Sequence, residues 1–393
     1  MKARIITRSI WILSLVSLLT DVASEMLYPV MPLYLKSIGF SVVLIGILEG
    51  IAEATAGLSK GYFGKMSDNS GLRLPFVRWG SALTALSKPM MAMLIAPLWI
   101  FTARTIDRIG KGIRTGARDA MLSDEATPAT KGRVFGFHRS MDTLGAVLGP
   151  GLALLYLYFY PGQYKWLFYL AFVPGLAAIA ATFLLRDKSA LPKVHRVKTA
   201  FADFFRYWQR SPAAYRKLVA ALLAFALINS SDLFLLLRLK EAGVDDTASI
   251  GAYIFYNLVH AVAAYPVGIL ADRIGLKTTF IGGLLLFAVV YLGMSRSGTL
   301  PLYYALFFLY GIYAAATEGV SKAWISNITN KKDTGAAIGT FAGFQSICAM
   351  LASAGTGFIW YRFGAATAFM VSGIAALIIA VSLVAWRPDP ERS

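Results

Sequence analysis

The chain has 393 residues, of which 57% are hydrophobic and only 15% are charged. A water-soluble fold of this length needs more polar surface, so the composition excludes an ordinary soluble protein. The formal net charge of +17 would suit a nucleic-acid partner. The basic residues, however, concentrate in alternate connections between apolar stretches, which is the positive-inside pattern of membrane proteins. We therefore expect a lipid bilayer around the protein and no nucleic-acid partner.

Apolar stretches of about 20 residues, enough to cross a bilayer, recur along the chain. They predict twelve membrane-spanning helices, at 9–33, 42–62, 75–95, 98–118, 135–158, 165–185, 216–238, 248–270, 279–297, 302–324, 336–358 and 365–386. The Lys/Arg bias predicts a multi-pass protein of the cytoplasmic (inner) membrane, with both termini and residues 186–216 in the cytoplasm. The N-terminus resembles a secretory signal, but its apolar stretch continues to Leu35, so we expect a retained first helix.

Acidic residues interrupt the first two predicted spans at helical spacing. Asp21 and Glu25 share one face of the first span, and Glu49 and Glu53 share one face of the second, because residues four apart lie on the same side of a helix. The third span carries Lys88. An ionisable side chain at this depth is costly in lipid, so it must meet another charge or a wet cavity.

The fourth predicted span contains the densest charge, RTIDRIGKGIRTGAR at residues 104–118. Its basic residues lie three or four apart and form one stripe, Arg104, Arg108, Lys111, Arg114 and Arg118. A charge at mid-bilayer costs about 2.5–3.5 kcal/mol on insertion scales, so the stripe must face water or acids. We expect Arg114 and Arg118 to extend to water at the end of the span.

The fifth span adds Arg139 and Asp142, and the deep charges of the first half then nearly balance. This balance predicts an ion-pair network for proton coupling, made of Asp21, Glu25, Glu49, Glu53, Arg104, Asp107, Arg108, Arg139 and Asp142. Within it we expect Arg108 to pair with Asp142 or Asp21. A carboxylate beside an arginine is a natural proton carrier. The alternative, that a given charge only holds helices together, stays open.

The second half has fewer charges within its predicted spans. Its polar and aromatic residues, together with Lys88 and Lys111, are expected to line a substrate cavity; they are Asn229, Asp232, Tyr256, Asn257, His260, Glu318 and Lys322. The asymmetry suggests coupling in the first half and an aromatic, hydrogen-bonding wall in the second. By itself, His260 is more typical of a packed polar residue, and Tyr256 of an interfacial anchor.

An internal repeat divides the chain. GKMSDNSGLR (64–73) and GILADRIGLK (268–277) share the pattern G-x-x-x-D-x-x-G-x-[RK] at an offset of 204 residues. We therefore predict six-helix bundles at 1–190 and 216–393, joined by a basic cytoplasmic linker at 191–215. The defining residues of the two loops are Gly64, Asp68, Gly71 and Arg73, and Gly268, Asp272, Gly275 and Lys277. We expect each aspartate to meet the N-terminus of the next helix or a nearby arginine.

This duplicated loop resembles the signature loop of the major facilitator superfamily (MFS). The fourth span resembles the superfamily's R-x-x-x-G pattern at Arg108 and Gly112. The fifth resembles the motif of its antiporting exporters at Gly136, Gly145, Gly149 and Pro150, although Ala153 and Leu154 replace two usual glycines. The resemblance implies an all-α membrane fold of two six-helix pseudo-repeats, alternating access to a site between the halves, and loops that act on conformation.

The sequence contains no phosphate-binding glycine loop, H-E-x-x-H, nucleophile elbow or metal-spaced Cys/His set. We therefore expect no enzyme activity, catalytic residue, metal or cofactor, with the proton as coupling ion and a monomeric protein. The favoured function is proton-coupled export (antiport) of a small organic molecule by a secondary transporter. The alternative is an importer or exchanger of an organic anion bound by the Arg/Lys stripe.

Overall fold

The structure is a computed structural model that describes residues 5–385, apart from 29, 32–33, 36–37, 41, 187–202, 245 and 297. At some helical positions only the backbone is described, and these include Glu49 and Glu53. Residues 191–202 of the predicted linker at 191–215 lie outside the described residues. Within them the chain forms helices and short connections, without a strand.

The described α-helices follow one another in the order α1 (Arg8–Glu25), α2 (Val42–Ser70), α3 (Leu74–Met93), α4 (Pro97–Glu125), α5 (Lys131–Phe159), α6 (Tyr164–Thr182), α7 (Asp203–Arg210), α8 (Ala213–Ala226), α9 (Leu233–Glu241), α10 (Asp246–Ile274), α11 (Leu276–Met294), α12 (Leu300–Asn327), α13 (Thr334–Phe363) and α14 (Ala365–Ala385). Among the described residues, seven helices are long and apolar enough to cross a membrane: α5, α6 and α10 to α14. The charged α4 is not among them.

Each of the twelve predicted spans contains helix, and in the first and seventh spans the helix ends or breaks within the predicted range. The first span was predicted to reach residue 33, but α1 ends at Glu25, shortly before the prolines of the sequence YPVMP, which disfavour helix. The seventh span is divided into α8 and α9 by residues 227–232. The break contains the sequence NSSD, whose short polar side chains compete for backbone hydrogen bonds; average hydropathy does not detect such a break.

The chain forms two compact units. The first unit contains Met1–Thr127, Met141–Gln209 and Asn330–Gly343; the second contains Pro128–Ser140, Arg210–Thr329 and Phe344–Ser393. Each unit therefore combines most of one sequence half with a short segment from the other half. The two segments, 128–140 and 330–343, are the starts of α5 and α13.

Glycines allow close helix packing in the first unit. A Cβ at Gly80 of α3 would lie 2.6 Å from the carbonyl oxygen of Gly110 in α4. On another side of α4, a Cβ at Gly116 would lie 2.9 Å from the Cα of Gly64 in α2. Larger residues would separate these helices. The glycines of α4 therefore hold its charged stripe against α2 and α3.

Aromatic side chains fill much of the interior of the second unit, where α12 packs against α10 and α11, and α11 also packs against α14. Phe225 of α8 meets Phe287 of α11 edge-on, at 5.1 Å between ring centroids. Phe287 also contacts Tyr313 of α12, at 5.1 Å. Such contacts add specific geometry to the burial of large apolar area.

Candidate functional site

A buried three-residue ion cluster joins α3 and α4 in the first unit. Lys88 Nζ lies 2.7 Å from Asp107 Oδ1, and Arg104 Nη1 lies 3.3 Å from Asp107 Oδ2. Ser87 donates a further hydrogen bond to Asp107 Oδ1, at 3.2 Å. The side chains of all three charged residues are at most 4% exposed. Lys88, predicted to line the substrate cavity, is thus a member of the ion network.

A second cluster lies further along α4. Arg114 Nη2 lies 3.7 Å from Asp21 Oδ1, and Arg118 Nη1 lies 3.7 Å from Asp142 Oδ1. Arg118 also donates to Asp119 Oδ1 through Nε at 3.0 Å and Nη2 at 2.9 Å. Two basic residues of α4 therefore meet acids from α1, α5 and α4 itself.

The carboxyl groups of Asp21 and Asp142 interact closely with each other, and each lies beside an arginine of α4. Two ionised carboxylates repel each other at such proximity, so a proton on one of them relieves the repulsion. The pair can therefore hold one proton between two guanidinium groups. This is the arrangement in which adjacent carboxylates stabilise a single proton.

The fifth-span motif explains why these two carboxyl groups meet. A Cβ at Gly145 of α5 would lie 2.7 Å from Leu18 O and 3.0 Å from the Cβ of Asp21. A Cβ at Gly149 would lie 2.7 Å from Met26 N. The two glycines therefore let α5 approach the backbone of α1, which brings Asp142 to Asp21.

The structure brings two other arginines of the stripe to the expected partners of Arg108. Asp21 and Asp142, its expected partners, form their ion pairs with Arg114 and Arg118. The two arginines do not reach water as we predicted, since their side chains are 1% and 4% exposed. The reason is the length of α4, which continues to Glu125 and keeps both residues deep. Arg108 is itself buried, beside Asp107.

The other predicted network members have different outcomes. Glu25 is the last residue of α1 and is partly exposed. The side chains of Glu49 and Glu53 lie outside the described residues. Arg139 belongs to the second unit and forms an ion pair with Glu318 of α12.

Sequence reasoning missed two members of this network. Asp119 is completely buried, but it follows the predicted end of the fourth span at residue 118. Ser17 is also completely buried and accepts a hydrogen bond from Arg118 Nη1 at 2.7 Å. A signal for Ser17 existed, because it lies four residues before Asp21 on one face of α1.

In the second unit, Asp232 lies at the break between α8 and α9 and accepts hydrogen bonds from two tyrosine hydroxyls. Tyr310 of α12 donates to Asp232 Oδ1 at 2.6 Å, and Tyr256 of α10 donates to Oδ2. Of the other predicted cavity residues, Asn257 and His260 are buried, whereas Lys111, Asn229 and Lys322 are partly exposed. Tyr310 is the residue of this cluster that the sequence did not single out.

The duplicated loops place their aspartates at helix N-termini. Asp68 accepts backbone hydrogen bonds from Gly335 at 3.3 Å and Ala336 at 2.7 Å, both in the first turn of α13. Asp272 accepts equivalent bonds from Gly132 at 2.7 Å and Arg133 at 3.0 Å, in the first turn of α5. A carboxylate is stabilised by the exposed N–H groups and dipole of a helix N-terminus.

These helices are not the next ones in sequence, contrary to our expectation for the loops. The predicted contact with nearby basic residues is present in the first copy, where Arg73 Nη2 lies 3.3 Å from Asp68 Oδ1. The last loop glycines, Gly71 and Gly275, have positive φ angles of 67° and 96°, which L side chains rarely adopt. Lys277 lies in the first turn of α11.

Close approach also explains the first glycine of each loop. A Cβ at Gly64 would lie within 3 Å of the backbone of Gly335, and one at Gly268 within 3 Å of the backbone of Gly132. Gly136 of the fifth-span motif contacts the backbone of Ala264 in the same way. The repeat therefore encodes two equivalent helix contacts, one within each unit. No group of three or more potential metal ligands occurs among the described residues.

These duplicated loops and the twelve helical spans agree with the comparisons with known proteins. The family model for the Major Facilitator Superfamily matches residues 13–255 and 237–393. The chain belongs to the major facilitator superfamily. This MFS protein is therefore an all-α membrane protein and a member of a family of secondary transporters.

Relatives of this MFS protein align over most of its length. It is 29% identical over 387 residues to an uncharacterized MFS-type transporter of Methanocaldococcus jannaschii, covering 97% of this chain and 95% of the relative. It is 25% identical over 341 residues to an uncharacterized protein of Mycobacterium tuberculosis, covering 85% and 82%.

Solved structures share its fold. The human organic anion transporter MFSD10 has a TM-score of 0.77 at 17% identity, covering 96% of this chain and 99% of that one. The E. coli fucose:proton symporter FucP has a TM-score of 0.74 at 14% identity, covering 97% and 99%. At these identities the likeness shows the MFS fold alone.

Proposed function

We propose that this MFS protein exports a small organic molecule in exchange for protons, and that the Asp21–Asp142 pair carries the proton. The supporting observation is that these two carboxyl groups lie close together, with Arg114 3.7 Å from Asp21 and Arg118 3.7 Å from Asp142. In a buried site, two carboxylates and two arginines form a set whose net charge changes by one when the shared proton leaves.

Loss of that proton provides a physical basis for coupling. Two ionised carboxylates in contact repel each other, and each gains more by binding its own arginine closely. The ion pairs are 3.7 Å long in this structure, which leaves room to shorten. Deprotonation would therefore favour a different packing of α1 against α5. Proton binding would shift the population between these two packing arrangements.

Two observations favour export over the alternative of organic anion import or exchange. The fifth-span glycines that resemble the exporter motif, Gly145 and Gly149, form the contact that positions the proton pair. In addition, three guanidinium groups of the Arg/Lys stripe already form ion pairs with acidic residues; they belong to Arg104, Arg114 and Arg118. An organic anion would have to displace those acids.

The test is transport into and out of proteoliposomes with an imposed pH gradient, a metabolite library and a pH-sensitive dye. We expect Asp21→Asn and Asp142→Asn to abolish proton-driven transport, with at least one retaining downhill exchange. Asp333→Asn is the control, because Asp333 also forms an ion pair but is 26% exposed. Unchanged proton stoichiometry in both carboxylate variants would refute the proton pair, and substrate moving in the same direction as protons would refute antiport.

A further inference from the structure

Asp232 differs from the buried acids of the first unit in having no basic partner. Asp21, Asp107, Asp119 and Asp142 each lie in an ion pair. Asp232 forms no ion pair anywhere in the described part of the chain. Its carboxylate accepts hydrogen bonds from the neutral hydroxyls of two tyrosines.

The charged groups that act electrostatically on Asp232 do not compensate its charge. These groups are Glu318 and Arg139, and they form an ion pair with each other. Their opposite charges largely cancel at Asp232. An uncompensated carboxylate within a membrane helix bundle is costly, so the site favours a positive charge supplied from outside the protein.

Further tyrosine rings pack against the two tyrosines that bind this carboxylate. The ring of Tyr256 lies 5.2 Å from that of Tyr310 and 5.4 Å from that of Tyr253, and Tyr310 lies 5.1 Å from Tyr313. Aromatic faces attract cations, most strongly where water is excluded. Asp232 and Tyr253 are partly exposed, so the cluster has an accessible side.

We propose that Asp232 and these tyrosines bind the positive centre of an organic cation, so that the transported molecule is a protonated amine or a quaternary ammonium compound. The inference rests on the proposed transport function and names its substrate class. Asp232 pairs with the cation directly, the hydroxyls of Tyr256 and Tyr310 hold the carboxylate in place, and the rings cover the cation. Exchange of one such cation for one proton moves no net charge.

The experiment is equilibrium binding to the purified full chain by isothermal titration calorimetry, without a gradient. The probe is phenyltrimethylammonium, and its neutral isostere tert-butylbenzene is the control ligand. We expect the cation to bind and the isostere to bind at least about tenfold more weakly, the range expected for a charge-assisted contact. Equal binding of the two probes would overturn the proposal.

Variants locate the site. Asp232→Asn should weaken cation binding about tenfold or more, whereas Glu241→Gln should not, because Glu241 lies on the same α9 with its side chain 44% exposed. Asp232→Glu keeps the charge and should retain binding, which separates a lost contact from misfolding. Tyr256→Leu should bind about threefold or more weakly than Tyr256→Phe, since only phenylalanine keeps a ring face.

Two further outcomes separate this inference from the proposed function. Asp142→Asn should still bind the cation in preference to the isostere, because Asp142 belongs to the other unit and does not contact the cation. Wild-type affinity in Asp232→Asn, accompanied by loss of one titrating proton, would make Asp232 a proton site and overturn the cation proposal. Proton-driven transport that depends on Asp142 would survive that result.

Discussion

Lys88 Nζ on α3 lies 2.7 Å from Asp107 Oδ1 on α4, and both side chains are almost completely buried. Removing one partner of such a pair leaves a buried charge without compensation. We therefore predict that Lys88→Met or Asp107→Asn lowers the free energy of unfolding by about 3–5 kcal/mol, measured by reversible unfolding in mixed micelles.

The control for this prediction is Lys65→Met, which breaks the pair between Lys65 and Asp333. Those side chains are 22% and 26% exposed, so water replaces the lost partner and the cost should stay below about 1 kcal/mol. Equal costs for the buried and the exposed pair would show that burial does not govern the energetics of the network.

Substitutions of Arg114 test whether burial determines the contribution of an arginine of the Arg/Lys stripe to proton-driven transport. Its side chain is 1% exposed and faces Asp21, so Arg114→Ala should reduce proton-driven transport at least as much as Arg108→Ala. Arg114→Lys should recover part of the activity, because it keeps a positive charge beside Asp21. Near-normal transport by Arg114→Ala would indicate that the Asp21–Asp142 pair works without its flanking guanidinium.

The two loop aspartates should differ in importance. We predict that Asp68→Asn slows transport while leaving equilibrium substrate binding intact, and that Asp272→Asn has a milder effect. Asp68 contacts Arg73, which is completely buried, whereas Asp272 contacts Arg133, which is 26% exposed and can be hydrated. Transport rate and binding are measured on the same preparations. If Asp68→Asn abolished binding in folded protein, a purely conformational role would be ruled out.

Glycine contacts in the first unit should be sensitive to a single methyl group. Gly80→Ala would place a Cβ 2.6 Å from both Gly110 O and Arg114 N, so α3 and α4 must separate, at a cost of about 1–3 kcal/mol. Gly151→Ala is the control, because nothing lies within 4 Å of its added Cβ. The melting temperatures of both variants are measured in detergent. Equal values would contradict the predicted destabilisation by Gly80→Ala.

Topology remains a prediction from the Lys/Arg distribution. A single cysteine at position 193, in a background with Cys348→Ser, should not react with an impermeant thiol reagent added to intact cells and should react after the membrane is opened. The control is a cysteine in the connection that contains residue 162, which is predicted to face the outside. Labelling at position 193 in intact cells would reverse the assigned orientation.

Much of the fold could be predicted from the sequence because its signals are local. Apolar stretches gave helices in all twelve predicted spans, and the duplicated loop pattern identified the superfamily. Helix ends were less accurate. Because charged residues follow residue 118, the fourth span was predicted to end there, but α4 continues to Glu125. The seventh span was predicted as one helix because its average hydropathy does not show the polar residues that divide it into α8 and α9.

The sequence by itself determined that the chain crosses a membrane, that it is duplicated, and that α1, α4 and α5 carry deep charges. Tertiary structure decided which charges meet: Arg114 with Asp21, Arg118 with Asp142, and Asp232 with tyrosines alone. The reason is geometric. Helical periodicity fixes the face of one helix, whereas partner choice depends on the depth and separation of two helices, which distant glycines such as Gly145 and Gly149 set through contacts with α1.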